Sequence, residues 1–186
     1  MTQNDILLDT LYQSMINYYQ KDPARIQHFV KVHSFARLIG RLEGMDEKSL
    51  LTLEAAAFVH DIGIKPAEEL YGNCDGKKQE ELGPGPAREM LEECGFEQTI
   101  IDRVAYLVGH HHTYTDIDGM DYQILVEADF LVNLFEGKSP ADAVETAYER
   151  IFRTKSGKEI CRTMFGIESM EIINDSNKNR NPVRRA

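Results

Sequence analysis

Helix start and stop signals recur along the whole chain, and no stretch combines β-branched alternation with hairpin turn residues. That pattern restricts the chain to an all-α fold, a bundle of about seven to nine helices. A first amphipathic segment covers about 4–19. Asp22 then caps and Pro23 opens a second helix, because aspartate satisfies free first-turn amides and proline is tolerated there. Gly44 ends it. Asp46 starts a third helix through Leu50, Leu53, Ala57 and Val59 to Asp61, with Gly63 as its stop. The stretch 70–85 lacks periodicity and reads as a loop. Further helices are expected over about 86–94, 97–108, 122–135, 140–152 and 157–164, with a loop at 113–119. Ser139 and Pro140 read as the cap and first residue of the helix they precede. The length of 186 residues favours one domain, taken as 1–173, before a polar and basic tail at 174–186.

Charge narrows the partners. A formal net charge of −10 repels nucleic acid polymers and anionic membranes. Cys74, Cys94 and Cys161 form no CxxC pair, so neither a disulfide framework nor a thiolate zinc site is suggested, and a reducing cytoplasm fits. Residues 1–10 carry acidic groups without the apolar core of a signal peptide, and no run of about 18 apolar residues occurs.

The informative residues are polar groups on apolar helix faces. His28, Val32, Phe35, Ile39 and Leu42 are spaced 4, 3, 4, 3 and form one stripe, which turns His28 inward. His33 leaves that stripe. His60 and Asp61 end the apolar run Ala55-Ala56-Ala57-Phe58-Val59, and Asp129 lies between Leu125 and Val132. Taken singly, His28 has the plain reading of a hydrogen-bonded core histidine, and His60 with Asp61 that of a helix-end histidine beside a surface aspartate. An unpaired buried charge is costly, and one divalent cation touching all four groups would compensate every burial together. Mixed imidazole and carboxylate donors suit Mn, Fe, Zn, Ni or Co more than Ca.

The order His, His-Asp, Asp on successive helices, with His-Asp-Ile-Gly after an alanine-rich turn, resembles the HD-domain metal-dependent phosphohydrolase superfamily. The resemblance covers roughly 25–137 and implies a single HD-domain helical bundle. It also implies His28, His60, Asp61 and Asp129 as ligands of a divalent metal (Mn, Fe, Ni, Co, Zn or Mg), with one or two ions bound. His33 matches none of these positions. Some branches place H-H-x-x-x-D next to bind a second metal, and His111, His112 and Asp116 keep that spacing. The plain alternative is a solvated histidine loop. Those branches carry another His before a Gly-Ala pair; this chain has none there, and Glu81 is the oxygen ligand that could substitute.

Lys65, four residues past Asp61, is a candidate to neutralise a substrate phosphate or else an ordinary surface lysine, with Lys77 and Lys78 as secondary candidates. Asp116 is assigned with Lys65 to substrate binding. No P-loop sequence occurs. The implied reaction is metal-assisted hydrolysis of a small phosphate mono- or diester, a nucleotide above all, with Asp61 orienting or deprotonating the attacking water. A di-iron oxygenase on the same fold and a non-catalytic, metal-stapled binding module are the alternatives. A homodimer is left open.

Overall fold

The computed structural model describes residues 1–167, and the basic stretch 174–186 lies outside the described residues. Within them the chain is entirely helical: α1 (Gln3–Tyr18), α2 (Pro23–Leu42), α3 (Glu47–Val59), α4 (Ile64–Tyr71), α5 (Gly76–Leu82), α6 (Pro84–Cys94), α7 (Gln98–Val108), α8 (Met120–Glu136), α9 (Ala141–Arg150) and α10 (Lys155–Phe165). Capping chemistry sets many of the ends. Thr2 and Asp5 form a reciprocal capping box on α1. Asp22 accepts from the Arg25 amide with Pro23 in the first turn, and Asp46 accepts from the Lys48 and Ser49 amides. Gly44, at φ 75°, turns the chain out of α2 in the left-handed region that a side chain resists.

α2 packs against α3 and α8, α3 also meets α1 and α7, and α10 closes over α8, α9 and α2. The core between them includes Phe29, Val32, Ile39, Leu53, Ile62, Leu91, Leu107, Ile124, Leu125 and Leu131. The buried face of α2 is His28, Phe29, Val32, Ala36, Ile39 and Gly40, whereas Leu42 is 62% exposed. The expected stripe therefore shifts after Val32: with 3.6 residues per turn, Ala36 and Gly40 carry it onward. A Cβ at Gly40 would stand 2.9 Å from Leu50 Cδ1, so the missing side chain lets α3 approach.

The stretch 70–85, expected to be a loop, instead contains α5 and the end of α4. Asp75 caps α5 by accepting from the Lys78 amide, and seven residues are too few to display a periodic stripe. Pro140 is the cap of α9 rather than its first residue, and α10 starts at Lys155 behind the Thr154 cap. No helix among the described residues is long and apolar enough to cross a membrane.

Candidate metal centre

Three elements deliver the four inward-pointing donors. His28 comes from the second turn of α2, His60 caps the C-terminus of α3, Asp61 follows it, and Asp129 sits midway along α8. His28 Nε2 lies 3.3 Å from His60 Nε2, 3.2 Å from Asp129 Oδ1 and 3.6 Å from Asp61 Oδ2. His60 Nε2 is 3.6 Å from Asp61 Oδ2 and 3.5 Å from Asp129 Oδ1. Asn133 donates to Asp129 Oδ1 at 2.8 Å, and the Tyr19 hydroxyl donates to the Asp61 carbonyl at 3.1 Å. His60 is fully buried, His28 and Asp129 nearly so.

Beyond α7, the histidine run turns back onto the same cluster. His111 Nε2 lies 3.0 Å from Asp61 Oδ1 and His112 Nε2 4.0 Å from it. His110 stays outside, stacked on Tyr106 with its Nδ1 on the Tyr106 carbonyl. The loop is held in place from two sides. Glu80 accepts from the His112 amide at 3.0 Å and the Thr113 hydroxyl at 2.9 Å, while the Tyr122 hydroxyl sits between the carbonyls of His110 and Thr113, within hydrogen-bond reach of both.

The ring nitrogens facing away from the cluster decide what it can hold. Nδ1 of His60 faces the Ala57 carbonyl at 3.0 Å, Nδ1 of His111 the Val108 carbonyl at 2.8 Å, and Nδ1 of His28 the Glu136 carboxylate at 2.9 Å. Each of these acceptors has no proton to give, so each Nδ1 carries the hydrogen and each Nε2 is left to bind a cation or an extra proton. Burial opposes protonation of His28, but Asp129, Asp61 and Glu136 outweigh it and hold its pKa up to about 9. Burial likewise opposes protonation of His111, and Asp61 and Asp129 nonetheless raise its pKa. Burial also works against the charged forms of Asp61 and Asp129, yet the surrounding imidazoles keep both carboxyls below the ordinary aspartate value. Converging imidazole nitrogens and ionised carboxylates, with the outer ring nitrogens already tied, fit a divalent ion of the Mn, Fe, Co, Ni or Zn kind. The donor atoms of His28, His60 and Asp61 lie within 4.8 Å of one another, and so do those of Asp61, His111 and His112.

Other expectations need correction. Glu81 is exposed on α5, and the residue that faces the histidine pair from that helix is Gln79. Its Oε1 lies 3.2 Å from His112 Nε2, while its amide donates to the Cys74 carbonyl at 2.7 Å. A helical turn sends residues 79 and 81 to different faces, which the unrecognised α5 had hidden. Lys65 turns to the C-terminus of α1 instead: its Nζ donates to the Tyr18 carbonyl at 3.4 Å and sits 4.5 Å from the Tyr18 ring centre. That geometry satisfies a helix end and gives no support to a phosphate-binding or catalytic role. Asp116 is exposed in the turn before α8, at φ 57°. Lys78 is occupied by Asn73 and Asp75.

Sequence reasoning missed Asn133 and Glu136. Both were findable, since they stand four and seven residues beyond Asp129, on its face of α8. It also missed Tyr114, whose hydroxyl lies 3.4 Å from His112 Nδ1 and whose ring meets Phe130 edge-on. A cavity of about 700 Å³ between α1, α2 and α3 lies apart from the cluster. Three of the charged groups lining it are paired, Glu54 with His33 at 2.9 Å and with Arg37 at 3.5 Å.

Fold and cluster together define an all-helical protein with a buried histidine and aspartate centre suited to a divalent cation. A model of the HD domain matches residues 25–162, and the chain belongs to that family. The solved structure of a predicted HD superfamily hydrolase from an uncultured Thermotogales bacterium superposes with a TM-score of 0.58 at 24% identity. That match covers 92% of this chain and 88% of the other, and shows the shared fold. No curated protein matches the chain.

Proposed function

We propose that this chain is a metal-dependent phosphohydrolase acting on a small phosphate mono- or diester, with nucleotides as the leading substrate class. One observation carries the reading: the Nε2 atoms of His28, His60 and His111 point at the carboxylates of Asp61 and Asp129 while every Nδ1 is already engaged. Membership of the HD family supports it. His28, His60, Asp61 and Asp129 would hold a first ion, and Asp61, His111 and His112 a second. A divalent ion there supplies Lewis acidity toward water and a phosphoryl oxygen.

The chain's own groups supply the rest. Asp61 turns both carboxylate oxygens into the cluster and can orient an attacking water through a hydrogen bond to it. Burial and the charges of Asp129, Glu80 and Asp61 push the Tyr114 hydroxyl up to about 12, so it keeps its proton at neutral pH and can donate to a phosphate oxygen.

The test is metal analysis of the purified protein beside a phosphatase screen with Mn, Ni, Co and Mg added. His60→Ala and Asp61→Ala should each abolish hydrolysis and lower bound metal. Full activity with parental metal content in either variant would sink the assignment.

A further inference from the structure

His60 and His111 stand just beyond the ends of α3 and α7, where last-turn carbonyls have no intrahelical partner. Those carbonyls, of Ala57 and Val108, take the Nδ1 protons and fix both rings. His28 has no such help. It lies inside α2, where the neighbouring carbonyls already serve the helix's own hydrogen bonds. We propose, resting on the metal-centre reading above, that Glu136 is the positioning residue that replaces the missing carbonyl, fixing the His28 ring with Nε2 aimed into the cluster.

The carboxylate makes two contacts across the α2–α8 interface. Oε2 lies 2.9 Å from His28 Nδ1, and Oε1 accepts from Lys31 Nζ at 2.5 Å. Lys31 is three residues beyond His28 on the same face of α2, so one carboxylate is clamped between two neighbours of one helix. Glu136 is also the last residue of α8, where a negative charge opposes the helix dipole and lowers helix stability. A glutamate is a poor choice for that position unless it does something else. On α8 it completes the Asp129, Asn133, Glu136 face, so one helix supplies a donor to the cluster, the amide that holds that donor, and the acceptor that orients a second donor from α2. A carboxylate is a stronger acceptor than a carbonyl, so it also makes His28 the more basic ligand.

Mn²⁺ is titrated calorimetrically into the metal-free parent and into Glu136→Ala, Glu136→Gln and Lys31→Met, with the proton signal of His28 Nδ1 followed by NMR in each metal-free protein. Glu136→Ala should weaken Mn²⁺ binding about 10- to 100-fold. Glu136→Gln, whose amide oxygen still accepts, and Lys31→Met should each lose less. On a His28→Ala background, Glu136→Ala should add almost nothing, because the two residues act as one unit. The downfield, slowly exchanging Nδ1 proton of the parent should vanish in Glu136→Ala. Parental Mn²⁺ affinity in Glu136→Ala, or an equal loss on the His28→Ala background, overturns the proposal. If the parent itself takes up no Mn²⁺, the functional reading fails separately. The Nδ1 signal then decides alone, and its survival in Glu136→Ala overturns the role of Glu136.

Discussion

Glu54 is 6% exposed, and its carboxylate faces the cavity between α1, α2 and α3. His33 Nε2 meets it at 2.9 Å and stacks flat on Phe58, ring centres 4.0 Å apart, while half-exposed Arg37 reaches it at 3.5 Å. Removing the histidine leaves a buried acceptor with one distant, solvated partner. His33→Ala should therefore destabilise the protein by about 1–3 kcal/mol, the cost of an under-satisfied buried group. Urea unfolding measures that loss. Metal content should stay at the parental level, because His33 points to the opposite side of α2 from His28. A drop in bound metal with unchanged stability would contradict both halves of this account.

α8 carries two kinds of buried acid, and they differ in how visible they are in the sequence. Asp129 could be singled out because it interrupts an apolar face and has a histidine-aspartate pair upstream. Glu127, wholly buried, could not: apart from Gln123 its partners lie 26 and 27 residues further on, in the irregular link between α9 and α10. Glu127 Oε1 accepts from the Arg153 and Thr154 amides at 2.6 and 2.9 Å and from Gln123 at 2.8 Å, and Oε2 accepts from the Thr154 hydroxyl at 2.5 Å. α5 was hidden for a related reason, since a two-turn helix is held by contacts to other elements. Helix periodicity reports which residues face inward along an element, and says nothing of a remote backbone group that an acid will meet. The same limit explains Lys65, where spacing from Asp61 suggested the cluster and the α1 end claimed the side chain. A Cβ on Gly157 would collide with Glu127 Oε2. Gly157→Ala should accordingly lower stability by roughly 1–3 kcal/mol, as overpacking does. Chemical denaturation checks this, and an unchanged midpoint would mean that the α10 end of the clamp is loose.

Across the whole molecule, the centre links proton binding to cation binding. The folded pKa of His28, about 9, stands above the ordinary histidine value of 6.5. Its charge therefore stabilises the metal-free protein fully below pH 6.5, and this contribution fades as pH rises through about 9. A cation must displace that proton, so Mn²⁺ affinity should climb with pH from 6.5 to 9 and level off above. Titrations at pH 6.5, 7.5 and 8.5 read this directly, and an affinity flat across that range would exclude His28 as a proton-releasing ligand. The Glu127 clamp, two residues before Asp129 on α8, sets the mechanical counterpart. Two amides of the α9–α10 link end on a buried carboxylate rather than in water. The irregular segment thus resists fraying by itself, because opening it would leave the buried Glu127 carboxyl with Gln123 as its remaining partner. α9, the link and α10 are joined to α8 as one cooperative unit, and that part of the chain comes apart together or not at all.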